Sequence, residues 1–194
     1  MLIWSKKFET NIDIVDTEHK NLFDLVNKLT NSINQRDVSY DEIERAIKLL
    51  NHYTKTHFHD EELLMIENRV DNRHLSMHCM EHKSFIYDLD RINDITDSVD
   101  RRITGKAIKL VRFITYWLTF HVLGTDNIMA AQIIHIKSGM MPQQAFETAK
   151  DHKFDATTVH MMMDAVYNLW LDAKDRCNLL EKKIYELGEK DFYH

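Results

Sequence analysis

The sequence predicts an all-α protein, an up-down-up-down four-helix bundle with an N-terminal arm and a C-terminal helical extension. Three observations lead there. One proline and four glycines in 194 residues leave few of the turn-makers that a sheet protein needs. Apolar residues recur at spacings of three and four over long amphipathic stretches. The polar connections between these stretches are short, and short connections set neighbouring helices antiparallel.

Residues 1–15 read as an arm anchored by Trp4, Phe8, Ile12, Ile14 and Val15. The first helix is expected over Thr17–Asn34, with Asp16 as its N-cap and Leu22, Leu25, Val26 and Leu29 as its buried stripe. Ser39 or Asp37 starts the second helix, whose inward face carries Ile43, Ala46, Ile47, Leu50, Tyr53, Phe58 and Leu64. A polar stretch, Glu67 to Arg73, separates it from a third helix running from His74 or Leu75 to about Ile95. Asp97 to Asp100 caps the fourth, which continues past His121 into the 130s. Gly139 and Pro142 then punctuate the chain, and Pro142 opens a short helix to Lys150.

From Val159 the apolar positions are Val159, Met163, Val166, Trp170, Ala173, Cys177, Leu180, Ile184 and Leu187. Their spacings alternate between four and three without a break, as along a coiled-coil seam. Two readings stand: a fifth helix folded back on the bundle, or a helix that pairs two copies and leads to an output module. The division expected is a bundle over residues 1–138 and a helical connector over residues 139–194.

Composition narrows the function classes. With 44% hydrophobic and 29% charged residues, the chain reads as an ordinary soluble globular protein. The longest apolar stretch, near Phe113 to Leu123, is too short and too interrupted to insert in a membrane. Residues 1–7 lack the pattern of a signal peptide. Two distant cysteines, Cys79 and Cys177, argue against zinc–thiolate chemistry and suit a reducing compartment. The expected location is therefore cytoplasmic. A net charge of −6 gives no basic footprint for nucleic acid. Twelve histidines are the anomaly, and a metal site explains an excess of this kind.

The histidines are also patterned. His57 and Glu61 are four apart, as are His78 and His82, so each pair shares one face of a helix. His121 and Asp126 lie in Phe120-His121-Val122-Leu123-Gly124-Thr125-Asp126, and His19 opens the first helical segment. Five imidazoles and two carboxylates thus come from four helices in order. His74 and His78 are four apart as well, which leaves a second pairing open on spacing alone. The pattern, with His82-Lys83-Ser84-Phe85 as a His-x-x-Phe signature, resembles the bacterial hemerythrins over roughly residues 1–138. The signature favours His78 and His82 as the pair.

What the resemblance implies is a centre of two iron ions joined by an oxo or hydroxo bridge. His78, His82 and His121 would hold one iron, His19 and His57 the other, with Glu61 and Asp126 bridging. Trp117, Leu118 and Phe58 would line a pocket for O2. Five apart on a regular helix, His121 and Asp126 would point about 140° away from each other; the family shares the spacing, which implies a loosened helix near Gly124. The ferritin-like oxidases are the rival class, but their Glu-x-x-His motif is absent from this sequence. No His-Glu-x-x-His protease motif is present either.

The expectation is therefore a non-enzymatic protein that binds O2 reversibly and senses oxygen or redox state. Family members are often fused to signalling modules such as diguanylate cyclases. A covalently linked output domain and a homodimer through Val159–Leu187 are the partners this implies. A stand-alone oxygen carrier is the alternative, and a di-iron oxidase, peroxidase or nitric-oxide-consuming enzyme the third. His52, His59, His135, His152, His160 and His194 have no partner at ligand spacing and read as ordinary surface or core-edge residues.

Overall fold

The computed structural model describes residues 2–34, 39–94, 103–151 and 153–190. Its elements are a 3-10 turn at Lys6–Phe8, α1 (Asp13–Asn34), α2 (Tyr40–Glu67), α3 (Asn72–Asp94) and α4 (Ile103–His121). A π-turn, Val122–Asp126, follows directly, and then α5 (Asn127–Lys137), α6 (Pro142–Lys150) and α7 (Ala156–Lys190). The described residues are all-helical. Among them no helix is long and apolar enough to cross a membrane.

α1 to α4 pack in a ring, each against its neighbours in sequence, with α4 closing on α1. Two apolar clusters stack along the bundle. The larger is built on Leu22, Phe23, Leu50, Phe58, Phe85, Leu89, Leu110 and Leu118, the smaller on Val15, Met65, Val70, Met129 and Ile133. α1 enters the small cluster at Val15 and leaves through the large one at Leu22; α2 runs the opposite way, from Leu50 to Met65. α3 runs from Leu75 to Leu89, and the return passes from Leu110 of α4 to Met129 of α5. The polar residues between those anchors are thereby brought to one level of the bundle.

Local sequence explains most element ends. Ser39 caps α2 in a reciprocal box, its hydroxyl accepting from Glu42 N at 3.2 Å while Glu42 accepts from Ser39 N at 2.9 Å. Asp37 lies outside the described residues, as do Ile95 and the expected cap at Asp97–Asp100. Pro142 opens α6 as expected.

Two expectations are corrected. Helix α1 starts at Asp13, so Asp16 is inside its first turn and is not its N-cap. Its carboxylate instead accepts from Thr10 N and Thr10 Oγ1 at 2.8 Å and from Asn11 N at 3.1 Å, tying the arm to the helix. Those donors belong to a turn that places Asn11 at φ 61°, and a buried carboxylate is needed to satisfy them. Ile14 is exposed rather than an anchor, because extending the helix back rotates it away from Val15, which is buried.

α7 folds back along α4. Thr158 and Ala165 are buried on its inner side, with Met161, Met162 and Leu169 packed on the larger cluster. Arg112 of α4 reaches Asn168 at 3.2 Å and Asp172 at 3.4 Å, and Arg176 meets Asp88 of α3 at 3.2 Å. The heptad residues face the other way. Met163, Val166, Trp170, Leu180, Ile184 and Leu187 are all exposed. The two readings of this helix concern different faces of it.

Candidate metal centre

The structure brings His19, His57, Glu61, His78, His82, His121 and Asp126 into one buried cluster between the two apolar layers. Two groups of ligand atoms, each within 4.8 Å of one another, are present among the described residues: Glu61 with His78, His82 and His121, and Glu61 with His19 and His57. Glu61 belongs to both. Its Oε2 lies 3.3 Å from His82 Nε2, 3.4 Å from His78 Nε2 and 3.5 Å from His57 Nε2, and its Oε1 3.8 Å from His19 Nε2. Asp126 spans the same divide, with Oδ2 at 3.2 Å from His19 Nε2 and Oδ1 at 3.1 Å from His121 Nε2.

The π-turn makes that last contact. Residues 121 and 126 would diverge on an α-helix, but i→i+5 bonding inserts one residue and returns Asp126 to the side of His121. Asn127 Nδ2 donates to Val122 O at 2.7 Å, satisfying a carbonyl within the turn.

The donor set fits metal ions. Metal–ligand bonds of about 2.1 Å at right angles set ligand atoms about 3 Å apart, the spacing of the imidazole and carboxylate atoms here. Glu61 Oε1, both Asp126 oxygens and both nitrogens of His19 are buried without a hydrogen-bond partner. Such groups are costly unless something satisfies them, and for the oxygens and imidazole nitrogens that face one another a cation does so.

Charge is balanced internally. Burial pushes the Glu61 carboxyl up, but His57 and then His78 and His82 outweigh it and hold it well below the usual range. At Asp126 burial and the charge of Glu61 act upward, yet His121 and His19 keep it ionised. Burial pushes His121 down, while Asp126 and Glu81 raise it to about 10. Burial dominates at His82, which is lowered.

Three of the five imidazoles are held from behind by carboxylates. His57 Nδ1 donates to Glu18 at 2.7 Å, His82 Nδ1 to Glu62 at 3.1 Å and His121 Nδ1 to Glu81 at 2.8 Å. Each carboxylate follows or precedes a cluster residue of its own helix by one position, yet serves the imidazole of the next helix. A step of one residue rotates 100° around a helix, enough to turn from the bundle centre toward a neighbour. Glu18 and Glu81 escaped the sequence reading, although adjacency to His19 and His82 was the available signal. Truncating Glu81 to alanine is expected to weaken metal binding about 10- to 100-fold, measured by competition with a chromogenic chelator. The fold should survive, since Glu81 lies outside both apolar clusters.

His74 is buried but turned elsewhere. Its Nδ1 accepts from Gln132 Nε2, and its ring stacks on Phe146 of α6 with centroids 5.3 Å apart. His78 and His82 are the α3 residues that meet the carboxylates. The aromatic wall sits on the other side. The Phe58 ring stacks on His82 at 3.8 Å and Trp117 on His121 at 4.2 Å, and Leu118 is buried in the same apolar cluster as Phe58 and Trp117. Phe85 packs against Phe58, Trp117 and Phe113, while Phe23 packs against Trp4 and Phe8. Of the remaining histidines, His52, His59 and His160 are exposed and His135 is half-buried; His152 and His194 lie outside the described residues.

Comparison with known proteins agrees with this geometry. Residues 10–133 match the family model described as the hemerythrin HHE cation binding domain. A bacteriohemerythrin of Clostridium acetobutylicum is 30% identical over 131 residues, 66% of this chain and 97% of that protein. A myohemerythrin of Theromyzon tessulatum is 28% identical over 63% of this chain and 86% of its own length. A bacteriohemerythrin of Methylococcus capsulatus is 25% identical over 66% and 93%. No solved structure matches at a significant level. A four-helix ring, five imidazoles and two carboxylates at its middle and a family match across that same span have one common explanation: the chain belongs to the hemerythrin family, as a bacterial hemerythrin domain.

Proposed function

We propose that this chain is a non-haem di-iron protein that binds O2 reversibly and senses oxygen or redox state. Glu61 carries the reading, as a carboxylate shared by two groups of buried imidazoles. His78, His82 and His121 would hold one iron, His19 and His57 the other, and Glu61 and Asp126 both. The iron pair, when bound, supplies the position where O2 attaches and the electrons it draws on. The protein's part is to orient and to exclude water. Glu18, Glu62 and Glu81 fix three imidazoles by their Nδ1 protons, and Phe58, Trp117 and Leu118 form a dry wall over His82 and His121. Neutral imidazoles favour the reduced, reversible state over oxygen cleavage, so binding without turnover is the activity proposed.

The outward seam of α7 supports the signalling half. Four heptads of exposed apolar residues suit a second helix, and a homodimer that passes its state to a linked output domain, a diguanylate cyclase for example, is the arrangement proposed. A stand-alone carrier is the second reading, favoured by the polar ties from α7 to its own bundle at Arg112 and Arg176.

Iron analysis with visible absorption spectra tests the binding half. Reduced protein exposed to air should develop a charge-transfer band that fades under vacuum, at about two irons per chain. A band that never fades would favour the enzymatic or one-way redox reading. Absence of iron would remove the proposal altogether.

A further inference from the structure

The π-turn is the one irregular piece of backbone among the elements that carry the centre, and it is gripped from two sides. On its polar side Thr125 Oγ1 donates to Glu81 Oε2 at 2.8 Å, the oxygen that also receives His121 Nδ1. On its apolar side stands α7. A Cβ built on Gly124 would come within 3.0 Å of Met162 Cε and meets no other atom within 4 Å. Carbon atoms in contact sit about 3.5–4.0 Å apart. The Met162 methyl therefore occupies the space that a side chain at position 124 would need.

The helix that carries Met162 is itself held in place. Asp155 caps the start of α7, accepting from Thr157 N at 3.0 Å and Thr158 N at 3.2 Å, and Lys7 of the arm pairs with Asp155 at 2.7 Å. Ala165, one turn further along the same side of α7, is fully buried. The helix is thus pinned at its first turns, directly against the turn that ends in Asp126.

We propose that Met162 is a positioning residue of the metal centre, which acts through Gly124 to hold the π-turn and so the Asp126 carboxylate. The residue lies in α7, beyond the span matched by the family model, and it couples the centre to the helix that bears the seam. Coupling of this kind is reciprocal: whatever moves the turn acts on α7, and whatever loosens α7 acts on the turn. The consequence for iron rests on the di-iron reading; the contact itself does not.

The test uses the full chain, first free of metal and then loaded with iron. In the metal-free protein, hydrogen exchange at the amides of residues 122–127 should quicken about tenfold in Met162→Ala and return to near the original rate in Met162→Leu. Gly124→Ala should also quicken it, and the double variant should be better protected than the sum of the two predicts, because the new methyl refills the space. In the loaded protein, Met162→Ala should release iron to a chelator about tenfold faster. Unchanged exchange at 122–127 in Met162→Ala would overturn the proposal. So would an equal acceleration through every helix, which marks ordinary core packing. If the original chain takes up no iron, the di-iron reading fails while the exchange cycle still decides the role of Met162.

Discussion

Glu61→Ala is expected to strip both halves of the centre in a single step. Each histidine faces one metal position, and Glu61 alone belongs to both groups of clustered ligand atoms found among the described residues. Glu61 lies within 3.3–3.8 Å of four imidazoles drawn from α1, α2 and α3. Without it, two dications would share only the Asp126 carboxylate, and one of the two anions that offset their mutual repulsion would be gone. Substitutions behind a ligand already cost about 10- to 100-fold in affinity; loss of a ligand common to both positions should exceed about 100-fold at each. Metal content after gel filtration is the measurement. About two ions per chain are expected in the original protein, nearly none in Glu61→Ala, and about one in His57→Ala, which belongs to the smaller group only. Retention of both ions in Glu61→Ala would show that the bridge lies elsewhere.

Trp170→Glu combined with Ile184→Glu is expected to convert the proposed seam dimer into a monomer. Both side chains are more than half exposed in the single chain, at 53% and 69%, so charge there leaves the bundle intact. At the centre of a paired seam each glutamate would be buried without a partner, a penalty of at least about 2 kcal/mol apiece. The dissociation constant should therefore rise at least about 100-fold, read by sedimentation velocity with unchanged helical circular dichroism. Cys177 reports the orientation. In a parallel pair its two copies occupy facing seam positions, within the separation of about 6 Å that a disulfide bridges, so mild oxidation should crosslink the dimer. A chain that is monomeric at every concentration would leave the stand-alone carrier as the better reading.

The legibility of this protein in its sequence follows from helical geometry. His57 with Glu61 and His78 with His82 could be paired on paper because residues four apart share a helix face, and that rule needs no neighbour to hold. The start of α2 after Ser39, one of the two starts the sequence leaves open, and the start of α6 at Pro142, where the sequence places it, are equally local. Asp16 misled for the opposite reason. An aspartate before an amphipathic run reads as an N-cap, but its partners, Thr10 and Asn11, belong to an arm whose path is set by Trp4 and Phe8 packing on Phe23.

By itself, then, the sequence determined the helices and the faces their histidines and carboxylates share, because periodicity and spacing are properties of a single helix, while the choice of the seven clustering residues came from the family resemblance. Tertiary structure alone decided the rest. Which carboxylate stands behind which imidazole depends on the helix next door, so Glu18, Glu62 and Glu81 found their roles only when α1 to α4 closed into a ring. Spacing alone leaves His74 with His78 and His78 with His82 as rival pairs, of which the His-x-x-Phe signature favours the second; what holds His74 aside, Gln132 and Phe146, comes from distant parts of the chain. The sequence marks only the heptad seam of α7; packing on α4 buried another face, set Met162 against Gly124 and left the seam in solvent.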